Sequence, residues 1–197
     1  MKPTENIYDF PALVEKYRAG DNWDLGCVML RVSFDDAMLS KGFSYGRISP
    51  ADFYYSTDPE RSYIAGDVTS KSHITLRYGL VKSAHEFEEE IHILLDDLGF
   101  DSLDYLPVSY FEAFPSTFND EAYACIVARF DLSVLEEANR RLGYLPHINT
   151  FPDYKAHATV AYVKQSETKK WLEWLNSGVV SRVVRVQKDW LDLGREH

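Results

Sequence analysis

The chain is 197 residues long, 45% hydrophobic and 26% charged, which suits one domain or two intimately joined lobes around a proper core and excludes a disordered chain. Its formal net charge of −10 excludes a surface that tracks long nucleic acid, because such binding is carried by Lys and Arg neutralising phosphates. The opening "MKPTENIYDF" has no apolar leader core, and no window approaches the ~18 apolar residues of a membrane span, so the expectation is a cytoplasmic protein, in the host cytoplasm if viral. Cys27 and Cys125 sit in apolar runs ("LGCVML", "YACIVA") without metal-ligand spacing and read as reduced core thiols.

In chain order, "DFPALVEKYRAG" predicts a helix capped by Asp9, with Pro11 in its first turn and Gly20 past its end. Leu25 to Phe34 predicts the first strand. Asp35 to Ser72 reads as a long irregular stretch, rich in Tyr, Gly, Pro and Ser, of the kind that forms lids or binding loops. "SHITLRYG" then predicts a strand, followed by "SAHEFEEEIHILLDDLG", a helix with a Ser83/Glu86 capping box, one apolar face (Phe87, Ile91, Leu94, Leu95, Leu98) and a Gly99 stop. Two strands, "LPVSYFEAF" and "AYACIVARFDL", lead into a second helix with a Ser133/Glu136 capping box and a Gly143 stop. The strand "HATVAYV", a helix begun by Ser166 and the strand "SRVVRVQ" complete a mixed α and β order.

One pattern recurs. His73 and Thr75 in "HITL" are matched by His157 and Thr159 in "HATV", whereas the six histidines and eight threonines would give only about 0.24 His-x-Thr matches by chance. Strand periodicity puts His73, Thr75 and Arg77 on one face and Ile74, Leu76 and Tyr78 on the other. By the same rule His157 and Thr159 share a face opposite Ala158, Val160 and Tyr162. Two imidazoles with pKa values near neutrality can act as base and acid in breaking a phosphodiester, and two hydroxyls can donate to the phosphoryl oxygens. The chemistry then needs no metal and no cofactor. The symmetry of the pattern leaves open which histidine is the base.

The two tetrads resemble the paired His-x-Thr/Ser-x signatures of the 2H phosphoesterase superfamily. That superfamily includes bacterial 2',5' RNA ligase-like proteins, 2',3'-cyclic phosphodiesterases, viral enzymes that cut 2',5'-oligoadenylate, and phage enzymes that destroy the cyclic oligonucleotide messengers of CBASS defence. The resemblance runs from about Leu25 to Gln187 and implies an α+β fold. Two pseudo-symmetric lobes would set antiparallel sheets around a central cleft with helices outside, one motif per lobe, in a single domain over residues 1–197. It implies His73, Thr75, His157 and Thr159 as catalytic residues. "HITLRYGL" is most similar to the phage anti-CBASS group, so the expected substrate is a cyclic oligonucleotide. The alternatives are a 2',3'-cyclic phosphate or 2',5'-oligoadenylate phosphodiesterase of RNA-end metabolism, and a module that sequesters a nucleotide without cutting it.

Around this pattern, Arg77 reads either as a phosphate ligand or as a surface salt-bridge partner. Tyr45, Tyr54, Tyr55 and Tyr63, with Arg47 and Arg61, suit either base stacking or packing of the long loop onto the body. Trp190 lies where the phage group carries an aromatic that stacks on a base, and equally suits an anchor for the C-terminal segment. Trp171 and Trp174 read as core and rim. His85 and His92, seven residues apart on an acidic helix, match no metal-ligand spacing.

Overall fold

A computed structural model describes residues 25–34, 48–56, 72–118, 121–148, 153–178, 180 and 182–192. The expected N-terminal helix at Asp9 to Gly20, Tyr45, Arg47, Arg61 and Tyr63 lie outside these residues, as does the Trp190 side chain.

The fold is α+β with two antiparallel sheets. Four strands, β1 (Gly26–Phe34), β2 (His73–Leu80), β3 (Tyr105–Pro107) and β7 (Val183–Asp192), form a sheet in the order β2-β1-β7-β3. Three others, β4 (Tyr110–Phe118), β5 (Glu121–Arg129) and β6 (His157–Lys164), form the second in the order β4-β5-β6. "LPVSYFEAF" is therefore not one strand. The chain leaves the first sheet at Pro107 and enters the second at Tyr110, and the proline, which has no N–H to give a ladder, stands at the edge.

Among the described residues three helices cover the sheets: α1 (Glu88–Leu95), α2 (Ser133–Leu142) and α3 (Thr168–Asn176). The two expected capping boxes do not form. Ser83 accepts from the Glu86 N–H through its backbone carbonyl and opens a 3-10 turn before α1, while α2 is capped at Leu132 with Ser133 already inside it. A true capping box instead joins Ser49 and Asp52, whose buried carboxylate also pairs with Lys170 of α3 at 2.9 Å. Burial alone would push Asp52 up, but the Lys170 ammonium and the Ser49 N–H hold it below the usual carboxylate range. Gly99 closes the first helical segment at φ 70°, as its position predicts.

The core lies between the sheets and their helices. Leu135, Ala138 and Leu142 of α2 face Leu76 and Leu80, and Asn139 donates to the Leu76 carbonyl at 2.6 Å. Trp171 of α3 is fully buried against Phe53 and Trp174, as its "KKWLEWL" setting predicts. The α3 helix is fastened to β4 by Asn176, which accepts from the Phe111 N–H and donates to its carbonyl.

Candidate functional site

β2 and β6, the two motif strands, are each at the edge of their sheet and run close to one another. The junction is fastened reciprocally. Ser72, just before His73, donates to the Thr159 carbonyl at 2.6 Å, and Tyr154, just before His157, donates to the Thr75 carbonyl at 3.0 Å. Burial pushes the Tyr154 phenol up, which keeps it a donor.

The outer edges of these strands are closed in the same crosswise manner. Residues 146–148 lie on β2, with Val81 donating to Pro146 and Ile148 to Gly79. Phe53 and Tyr54 lie on β6, with Tyr54 donating to Tyr162. Gly79 is needed here, for its φ is 93° and a Cβ would run into the Ile148 carbonyl.

The strand registers make the two motifs equivalent. In the first, Arg31, Met29 and Cys27 of β1 stand opposite His73, Thr75 and Tyr78 of β2. In the second, Arg129, Val127 and Cys125 of β5 stand opposite His157, Thr159 and Tyr162 of β6. Each motif strand carries a bulge just after its threonine, at Leu76 and at Val160.

The bulges correct the face assignments drawn from strict alternation. Tyr78 and Tyr162 rejoin the His/Thr face, while Arg77 and Ala161 turn toward the helices. Arg77 accordingly does not share a face with His73. Its guanidinium bonds to Asn139 of α2 at 3.4 Å and to His147 Nε2. His147, which sequence gave no role, donates from Nδ1 to the Leu145 carbonyl, and burial, with Arg77 beside it, holds its pKa down. It is a neutral acceptor that anchors an arginine.

At the second motif, Nδ1–H of His157 donates to the Lys155 carbonyl at 2.8 Å, which fixes the tautomer with the basic lone pair on Nε2. The Phe114 ring meets the imidazole edge-on, with centroids 5.3 Å apart. Cys125 Sγ is 3.6 Å from Thr159 Oγ1. Burial pushes that thiol up, against hydrogen bonding with Thr159 and Tyr162, so it stays protonated. Cys125 is thus half-buried on the His157/Thr159 face, whereas Cys27 is fully buried.

The tyrosines divide. Tyr54 is buried and stacked on Tyr123 with centroids 4.6 Å apart, so it packs the loop onto the body, while Tyr55 is exposed. His92 faces Glu88 on an exposed helix side at 3.9 Å. Among the described residues no three His, Cys, Asp or Glu side chains gather as a metal site.

Alternation alone missed Tyr78, Tyr162 and the two arginines. The signal was there as a longer repeat, Cys-x3-Arg at 27–31 and 125–129 facing His-x-Thr-x2-Tyr at 73–78 and 157–162.

No family model matches the chain, and no curated protein matches it. Among solved structures, Usb1 of Kluyveromyces marxianus is 12% identical with a TM-score of 0.38, covering 78% of this chain and 81% of its own. Usb1 of the same organism with uridine monophosphate is 11% identical with a TM-score of 0.38, covering 81% and 83% respectively. At that distance the likeness bears no weight, and the repeated register within the chain is the firmer ground.

Proposed function

We propose that the chain is a phosphodiesterase of the two-histidine type acting on small ribonucleotides, with 2',3'-cyclic phosphate ends or 2',5' linkages as substrates. The observation that supports this reading is the twofold repetition of His, Thr and Tyr at one register on adjoining edge strands. Repetition of a motif can be chance, but repetition of its bulge, its cross-strand partners and its edge closure marks a paired site.

In the proposed reaction one imidazole removes a proton from water attacking the phosphorus, and the other protonates the departing ribose oxygen. His157 presents Nε2 for its part, because Nδ1 is held by Lys155. The Thr75 and Thr159 hydroxyls donate to non-bridging oxygens, where charge develops in the transition state. Neither proton transfer requires a metal or cofactor.

Between the two substrate readings, the RNA-end one is preferred to the cyclic oligonucleotide. The first sheet continues past His73 as an exposed face through Arg31 and Arg185 to Tyr105, a track that suits a chain with a free end better than a closed ring.

The test is a panel of 2',3'-cyclic nucleotides, 2',5'-oligoadenylate, and cyclic di- and trinucleotides, incubated with EDTA and separated by chromatography. Product from the first two classes is expected. Product from the cyclic oligonucleotides alone would reverse the substrate choice. Binding without any product would make the chain a sequestering module and end the enzymatic reading.

A further inference from the structure

The equivalent arginines of the two halves differ in burial. Arg129, across from His157, is 4% exposed, held by Glu112 at 3.2 Å and by the Lys155 carbonyl. Arg31, across from His73, is exposed. Cross-strand neighbours on one face have Cβ atoms about 5 Å apart, so the Arg31 side chain starts beside the imidazole.

The face goes on in the same direction. Ser33 follows Arg31 along β1 and pairs with Arg185 of β7, which pairs in turn with Tyr105 of β3. Arg185 is exposed and Tyr105 is 55% exposed. With strands about 4.8 Å apart, a first cation stands one strand from His73 and a second two strands away, followed by an aromatic ring. On a chain of net charge −10 these two arginines stand on one face of the sheet.

We infer that Arg31, backed by Arg185 and Tyr105, forms a subsite for the phosphate next to the scissile one in a linear ribonucleotide. Arginine suits this task because its planar fork grips a phosphate with two bonds. Tyr105 offers a stacking surface for the base beyond it. The buried Arg129 leaves no matching subsite beside His157, so the nearly symmetric centre receives its substrate in one direction. The inference deepens the proposed function and rests on it for the identity of the substrate.

The test measures binding rather than turnover. Uncleavable 2',5'-linked uridine dinucleotides, with a CH2 group in place of each bridging oxygen of the linkage, are titrated into the whole protein with no terminal phosphate, a 5'-phosphate or a 2'-phosphate. One phosphorylated form is expected to bind about tenfold or more tightly than the bare dinucleotide. Arg31→Ala should abolish that advantage and Arg31→Lys retain part of it. Arg185→Ala should weaken it less, and thermal unfolding of each variant beside wild type separates lost binding from lost fold. Should Arg31→Ala fail to fold, Arg31→Gln carries the same comparison.

An advantage that survives loss of Arg31, or that is missing from wild type, overturns the subsite. An Arg31-dependent advantage in a protein that cuts nothing on the panel upholds the subsite and removes the phosphodiesterase reading instead.

Discussion

The two motif strand pairs are built on one plan and placed in different surroundings. In both, Arg, an apolar residue and Cys stand across from His, Thr and Tyr, with a bulge after the threonine. In the first pair the arginine is exposed and the cysteine fully buried. In the second the arginine is buried on Glu112, and the cysteine reaches the threonine hydroxyl. The shared plan accounts for paired chemistry, since each half supplies one imidazole and one hydroxyl. The divergence bears on the proposed direction of binding, because one half exposes its arginine and the other buries it.

The strongest way to break the equivalence is to remove one imidazole. His73→Ala or His157→Ala should each lower kcat by about 10³-fold or more with little change in nucleotide binding, and the double variant should be scarcely worse than either, because the two act as a unit. Turnover by single-turnover kinetics and binding by titration are the readouts, and a variant retaining a tenth of wild-type kcat would sink the two-histidine mechanism.

Next comes the second arginine. Glu112→Gln leaves Arg129 buried beside a neutral partner, and a loss of about 2 kcal/mol in denaturant unfolding is expected, between the values for exposed and buried pairs. A change within experimental error would show that the ion pair does not distinguish the halves.

The edge closure of β2 is sharpened by Gly79→Ala. With φ at 93° and the Ile148 carbonyl in the way, the substitution should cost about 1–3 kcal/mol. Faster amide exchange at Val81 and Ile148, with exchange at Tyr54 on the other motif strand unaltered, would locate the damage.

The smallest effect concerns the other edge, where the Asp52–Lys170 pair supports the segment that lies on β6. Because Asp52 is lowered in the folded state, its contribution is fully present above the unfolded value near pH 4. It is lost as pH falls through the lower folded value. Lys170→Met should therefore flatten the stability profile in that acid range and leave the profile unchanged above about pH 5. An unaltered acid limb would rule out this pair.

Much of this architecture was legible in the sequence, and what escaped has physical causes. Helix positions followed from apolar spacing and terminal glycines, but the capping boxes failed because Ser83 opens a 3-10 turn and Ser133 already lies within α2. The His/Thr pairs followed from period two, and Tyr78, Tyr162 and Arg77 were misplaced because a bulge adds one residue and reverses every face beyond it. Pairing of Arg31 with His73 is a register, and register depends on contacts across the long Asp35 to Ser72 stretch that no local pattern encodes. Cys125 was read as core because its flanks are apolar, although alternation places a half-buried residue between two buried ones.

The crosswise closure of the motif strands bears on what either half would do alone. Among the described residues, each half carries the short segment that covers the other's open β-edge. A separated half would expose a bare ladder of N–H and C=O groups, an invitation to pair with any strand at hand. The best available cap for such a fragment would be a second copy of itself. Held in one polypeptide, each motif strand finds its cover in the half that carries the other.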